Sequence, residues 1–212
     1  AMQYAANLWC DRGEAVFMAE YQNEPTKDVD TIYELDVNTV ISRTSKQPRR
    51  VCPESAQIIV VFCDINHYGL HWCCVAFQPD MTASVLDYGK YPKRGGLVQK
   101  NASDVERNQL IFAGLTDLGE STLAKLDIKR GGDIVHPNLL MVDRGYAPHT
   151  VHQYVKHQKL PFNVLASRGY GSSVYRPTPR NTIGAPRENC HMTKSDLGQY
   201  IAHNADAWRE TA

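Results

Sequence analysis

Two apolar runs in this 212-residue chain end the same way, as Phe62-Cys63-Asp64 and Met141-Val142-Asp143. If both runs are strands, side by side and parallel, the two aspartates share one edge of a sheet. Neighbouring strands lie about 4.8 Å apart. Two carboxylates at that spacing can share one or two hard cations. Without a cation their like charges repel and push one pKa up. A pair of metals about 3.5–4 Å apart can clamp the attacking and leaving oxygens of a phosphodiester. The competing reading is that each aspartate only starts a turn, as aspartate often does.

Other acids compete for a place in such a site. Asp87 ends a third strand-like run, Val85-Leu86-Asp87-Tyr88-Gly89, about two strands from Asp64, where a turn role competes with a metal role. Asp206 stands at the start of a C-terminal helix, where an acid ordinarily serves the helix dipole. Asp196, after Lys194-Ser195, is a weaker candidate.

Other chemistries are poorly supported. The chain has no Gly-x-x-x-x-Gly-Lys-Ser/Thr loop, no Gly-x-Ser-x-Gly elbow and no His-Glu-x-x-His helix. The six cysteines include no Cys-x-x-Cys pair, so they read as buried free thiols rather than a zinc site. A Cys63 nucleophile would need a histidine nearby in space. The longest apolar run, Ile58 to Cys63, is far too short for a membrane span, and no signal peptide opens the chain.

The formal net charge is zero, yet charge is unevenly placed. From Arg144 to Lys194 the basic residues are Arg144, Lys156, Lys159, Arg168, Arg176, Arg180, Arg187 and Lys194, and the only acid is Glu188. A one-signed stretch suits a polyanion. Arg144, Arg168, Arg176, Arg180 and Lys194 are therefore candidate DNA contacts. Tyr170 and Tyr175, in the same stretch, could stack on bases.

These residues need a scaffold. Residues 1–24 read as helical up to Pro25, and Thr44 to Arg50 reads as a basic linker, so we divide the chain into an arm over 1–50 and a compact domain over 51–212. Within that domain Gln57–Asp64, Leu70–Gln78 and Ala83–Tyr88 form an antiparallel meander. Ser103–Leu126 has helical spacing, with Ser103 as N-cap. Asn138–Asp143 is a fourth strand, Ala147–His157 a helix and Phe162–Ala166 a fifth strand. The order β-β-β-α-β-α-β places the fourth strand parallel to a meander strand. Arg168–Glu188 reads as a long loop and Asn204–Trp208 as the start of a helix.

The chain resembles the C-terminal nuclease part of phage terminase large subunits, closest to the lambda-like group. Four stretches carry the resemblance: Phe17 to Pro25, Phe62-Cys63-Asp64 with Leu70-His71-Trp72, Val85 to Gly89, and Leu140 to Tyr146. It implies an α/β, ribonuclease H-like fold, a mixed sheet of a three-strand antiparallel meander plus two parallel strands, flanked by helices. It implies an endonuclease that cuts concatemeric viral double-stranded DNA with two Mg²⁺ or Mn²⁺ ions. Asp64 and Asp143 carry over as metal ligands. The third acid falls to Asp206, to Asp87 or to a residue beyond Ala212. The resemblance also implies an ATPase motor elsewhere in the intact protein, the terminase small subunit and portal as partners, and the host cytoplasm as location. The alternatives are another nuclease of this fold, such as a resolvase or transposase core, and a non-catalytic DNA-binding assembly module.

Overall fold

The computed structural model describes residues 37–44, 47–99, 101–176 and 189–211. The helix expected over 1–24, the segment Phe17 to Pro25, Arg180 and Arg187 lie outside these. The chain separates into two compact units, 1–46 and 47–212. The described part of the first is one short, exposed helix, α1 (Val37–Ser42).

The second unit is built on a seven-stranded sheet. Its strands are β2 (Ile58–Asn66), β3 (Gly69–Phe77), β4 (Ala83–Tyr91), β7 (Leu139–Asp143), β8 (Asn163–Tyr170), β9 (Cys190–Ser195) and β10 (Gly198–Asn204). They lie in the order β4-β3-β2-β7-β8-β10-β9. The meander β2-β3-β4 is antiparallel, β2-β7, β7-β8 and β8-β10 are parallel, and β10-β9 is an antiparallel hairpin. The first five positions give the expected meander plus two parallel strands, consistent with a ribonuclease H-like fold. The β10-β9 pair extends that sheet in the region after the expected loop, read from the sequence only as a tail.

Strand periodicity sorts the residues onto two faces. Ile59, Val61, Cys63, Leu140, Val142 and Ala166 point to one face and are buried with Ile111, Leu115, Leu118, Val151 and Tyr154. Those partners come from α2 (Asp104–Asp117), the π-turn that continues it (Leu118–Leu123) and α3 (Pro148–His157). Ser103 caps α2 by accepting the Glu106 amide at 3.2 Å. The π-turn brings Gly119 so close to α3 that a Cβ there would meet the Tyr154 hydroxyl at 2.7 Å. The other face is more open: Phe62 is 38% exposed although β2 is an interior strand. A last helix, α4 (Ala205–Thr211), follows β10.

A small three-stranded sheet, β1 (Val51–Cys52), β5 (Ile128–Arg130) and β6 (Asp133–Val135), stands beside the large one. The register of β7 is set at its start. Asn138 donates its backbone amide to the Ile59 carbonyl at 2.8 Å, and its side-chain Oδ1 accepts the Ile59 amide at 2.8 Å. Its own carbonyl accepts the Asn163 amide at 3.3 Å, so one residue joins β2, β7 and β8. Among the described residues no helix is long and apolar enough to cross a membrane.

Candidate active site

β2 and β7 pair in parallel with Cys63 opposite Val142. The next residue on each strand is Asp64 and Asp143, so the two carboxylates leave the same edge on the same face, one strand spacing apart. Both are half-buried, on the face away from α2 and α3. Each carboxylate is held on one side. Asn66, two residues along β2, donates its side-chain amide to Asp64 Oδ2 at 3.4 Å, while its Oδ1 accepts the Tyr68 and Gly69 amides in the hairpin turn. Asp143 Oδ2 accepts the Gly145 amide at 3.0 Å.

Burial pushes the Asp143 carboxyl above its usual range, and the negative charge of Asp64 adds to that push. The Gly145 amide, Arg168 and His203 pull the other way without reversing it. His203 reaches this edge because β10 runs parallel to β8, with His203 opposite Gly169, two residues past the Ser167 that pairs with Asp143. Its imidazole is pushed below the usual range by burial, a shift that Asp143 opposes. On the other flank His71 pairs with Asp64, and Lys90 pairs with His71. Ser167 is fully buried beside Asp143, and its hydroxyl has no hydrogen-bond partner among the described residues.

The edge therefore carries two carboxylates flanked by His71, Lys90 and His203, while the charge of Arg168, which leaves the opposite face of β8, is felt at Asp143. None of the three flanking residues His71, Lys90 and His203 was singled out as part of a site from the sequence. His71 and Lys90 follow from a meander register, and His203 from a strand, β10, whose pattern gave no apolar run.

The remaining acids lie elsewhere. Asp87 pairs with Cys74, on the face turned away from Asp64, and its side chain is buried in a double ion pair. Arg49 bonds its Oδ1, and Arg50 Nε donates to its Oδ2 at 2.6 Å. Asp206 Oδ2 accepts the Ser172 amide at 2.8 Å, in the turn after β8. Among the described residues neither acid joins Asp64 and Asp143 in a group that could hold a metal.

The basic residues divide in a similar way. Arg144 is 5% exposed, with its guanidinium 4.0 Å from the Tyr200 ring centre. Arg168, Arg176 and Lys194 are exposed. Cys63 is fully buried, and burial together with Asp64 and Asp143 drives its thiol far above the usual range, so no thiolate is on offer there.

The family model for the terminase large subunit gpA, endonuclease domain, matches residues 17–195, a span that contains Asp64 and Asp143. No curated protein matches the chain. Among solved structures, a crystal structure of the Aquifex aeolicus member of the Ppx/GppA protein family aligns over 51% of this chain and 35% of its own, at 9% identity and a TM-score of 0.31. The chain thus spans about a third of that protein's length, and a likeness this slight carries no functional argument.

Proposed function

Because the chain belongs to the family of terminase large subunit endonuclease domains, we propose that it cuts double-stranded viral DNA by metal-dependent phosphodiester hydrolysis at Asp64 and Asp143. The observation that carries this reading is the matched ending of β2 and β7, which sets two carboxylates on one accessible edge.

The donor set suits Mg²⁺ or Mn²⁺. Both ligands are hard carboxylate oxygens, and a cation held by them would offset the burial and the Asp64 charge that raise the Asp143 pKa. Among the described residues no group of three or more His, Cys, Asp and Glu side chains could hold a metal. Water and DNA phosphate oxygens would supply the remaining ligands, as is common for Mg²⁺. When bound, the ions supply a nucleophilic water at neutral pH and stabilise the leaving oxygen. Asn66 and the Gly145 amide orient the two ligands, while Lys90 offers positive charge and His71 a hydrogen-bonding ring to the phosphates beside the cut. The terminase small subunit and the portal are the partners this assignment implies for the intact protein.

Plasmid nicking in Mn²⁺ and Mg²⁺, with a chelator control, tests the reading. Asp64→Asn keeps the shape and removes one ligand charge, so cutting should fall at least about a hundredfold while folding is kept. Wild-type cutting that survives chelator, or an Asp64→Asn protein that cuts normally, overturns the proposal.

A further inference from the structure

The β10-β9 extension has a second face. Strand pairs share a face, as do residues two apart on a strand, so the registers Arg168 to Ala202 and Ala202 to His191 put Tyr200, Ala202, Arg168 and His191 on the side opposite Asp143 and Ser167. Beyond α3 this side opens into a cavity of about 240 Å³, lined by Tyr170, Tyr175, Tyr200, Arg176, His191 and Thr193 among others. Its volume is below the roughly 300–1,000 Å³ of sites for drug-sized molecules, and it suits a single small ring.

The lining has a consistent chemistry. Three tyrosine rings meet there, and their hydroxyls are already engaged with one another or with histidine. Tyr170 and Tyr200 share a hydrogen bond of 3.0 Å, and Tyr175 bonds His191 Nδ1 at 2.8 Å. With the polar tips occupied, the half-buried Tyr170 and Tyr200 offer mainly their π faces, and the buried Tyr175 forms the floor. Among the described residues, the charged side chains lining the cavity or lying against its rings are arginines. Arg168 lies 5.0 Å from the Tyr170 ring centre and Arg144 lies 4.0 Å from that of Tyr200. Arg176 Nη1 is braced by the Ser173 and Tyr175 carbonyls at 2.9 and 3.1 Å. No acid is among the lining residues.

We propose that this cavity, on the sheet face opposite the Asp64–Asp143 edge, binds an unpaired nucleotide of a DNA strand, its base against the tyrosine rings and its phosphates toward Arg168 and Arg176. Every base has a π face, so stacking of this kind tolerates any sequence. Guanidinium is the side chain best shaped for phosphate. A paired base inside a duplex cannot enter a cavity this small, so the site selects single-stranded over double-stranded DNA. The inference rests on the reading that this domain handles DNA, but not on metal-dependent cutting.

The test is fluorescence anisotropy on the full 212-residue chain in chelator, with a labelled oligothymidylate decamer, a blunt duplex of the same length, and thymidine monophosphate as competitor. Tyr170→Ala removes one ring, and Thr193→Trp fills the cavity. Each should weaken decamer binding about tenfold and leave duplex binding within about twofold. If Thr193→Trp does not fold by circular dichroism, Tyr170→Ala decides alone. Decamer binding that is absent in the wild type, unchanged in the folded variants, or lost in parallel with duplex binding overturns the proposal. Competition by thymidine monophosphate as effective as by unlabelled decamer assigns the cavity to free nucleotides and also overturns it. A wild type that binds decamer as described but does not nick plasmid refutes the nuclease reading alone.

Discussion

Replacing Asp87 by asparagine separates a structural acid from a catalytic one. The Asp87 carboxylate is fully buried and bonded by Arg49 and Arg50. Hydrogen bonds to charged groups contribute about 1.5–3 kcal/mol each. The two arginine side chains are 62% and 45% exposed, so water solvates them once the charge is gone. That places each bond at the low end, about 1.5 kcal/mol. Asparagine keeps one acceptor oxygen, and the Tyr88 amide that bonds Oδ1 at 2.8 Å keeps its partner. The net loss is then about 2 kcal/mol. In a protein of this size 1 kcal/mol moves the melting temperature by about 2–4 °C, so Asp87→Asn should melt about 4–8 °C lower. Plasmid cutting per folded molecule at 25 °C should match the wild type, because Asp87 faces away from Asp64. Thermal melting and nicking on the same samples decide it. Cutting reduced a hundredfold with an unchanged melting temperature would refute the reasoning and put Asp87 at the site.

Asp143 gives a pH-dependent counterpart in chelator. Its folded pKa is raised, so its ionisation opposes folding; the penalty is absent below the unfolded pKa of about 3.9, grows as pH rises toward the folded value, and is complete above it. Asp143→Asn should therefore melt above the wild type at pH 7 and level with it at pH 3, and Mn²⁺ should stabilise only the wild type; a variant that melts lower at pH 7 contradicts this. Arg144→Ala strips a buried stem and a cation from the Tyr200 ring, and should cost about 2–3 kcal/mol in urea unfolding. Exposed Arg168→Ala should stay within about 0.5 kcal/mol, and equal losses for the two would show that the burial of Arg144 has no bearing on stability.

The strands that carry Asp64 and Asp143 were legible because interior parallel strands read as continuous apolar runs closed by an acid. The β10-β9 hairpin was not. Along Cys190–Ser195 exposed and half-buried residues alternate with no buried position, and Gly198–Asn204 buries only Ala202, so no hydrophobic period stands out. His203 sits on the second of these strands and was missed for the same reason. Asp87 lay beyond sequence reasoning for another cause. A bulge between Cys74 and Val75 breaks the alternation of β4, leaving Leu86 and Asp87 both buried in succession. Arg144 and Arg168 look alike in a charge count, yet only the packing shows that one lies against Tyr200 and the other reaches solvent.

Asn138 lies five residues before Asp143, about 16 Å away along the strand, yet it acts as the ruler for the carboxylate pair. Side chains alternate faces along a strand, so parity counted from Asn138 decides which way Asp143 points. A residue inserted before Asn138 only lengthens the turn that leaves β6, and the three-way clamp to Ile59 and Asn163 still starts β7 in step. A residue inserted after Asn138 turns Asp143 into the packed face and brings Val142 to the open edge. Length changes that look equivalent in an alignment therefore have opposite meanings on the two sides of this one asparagine: drift on one side, loss of the site on the other.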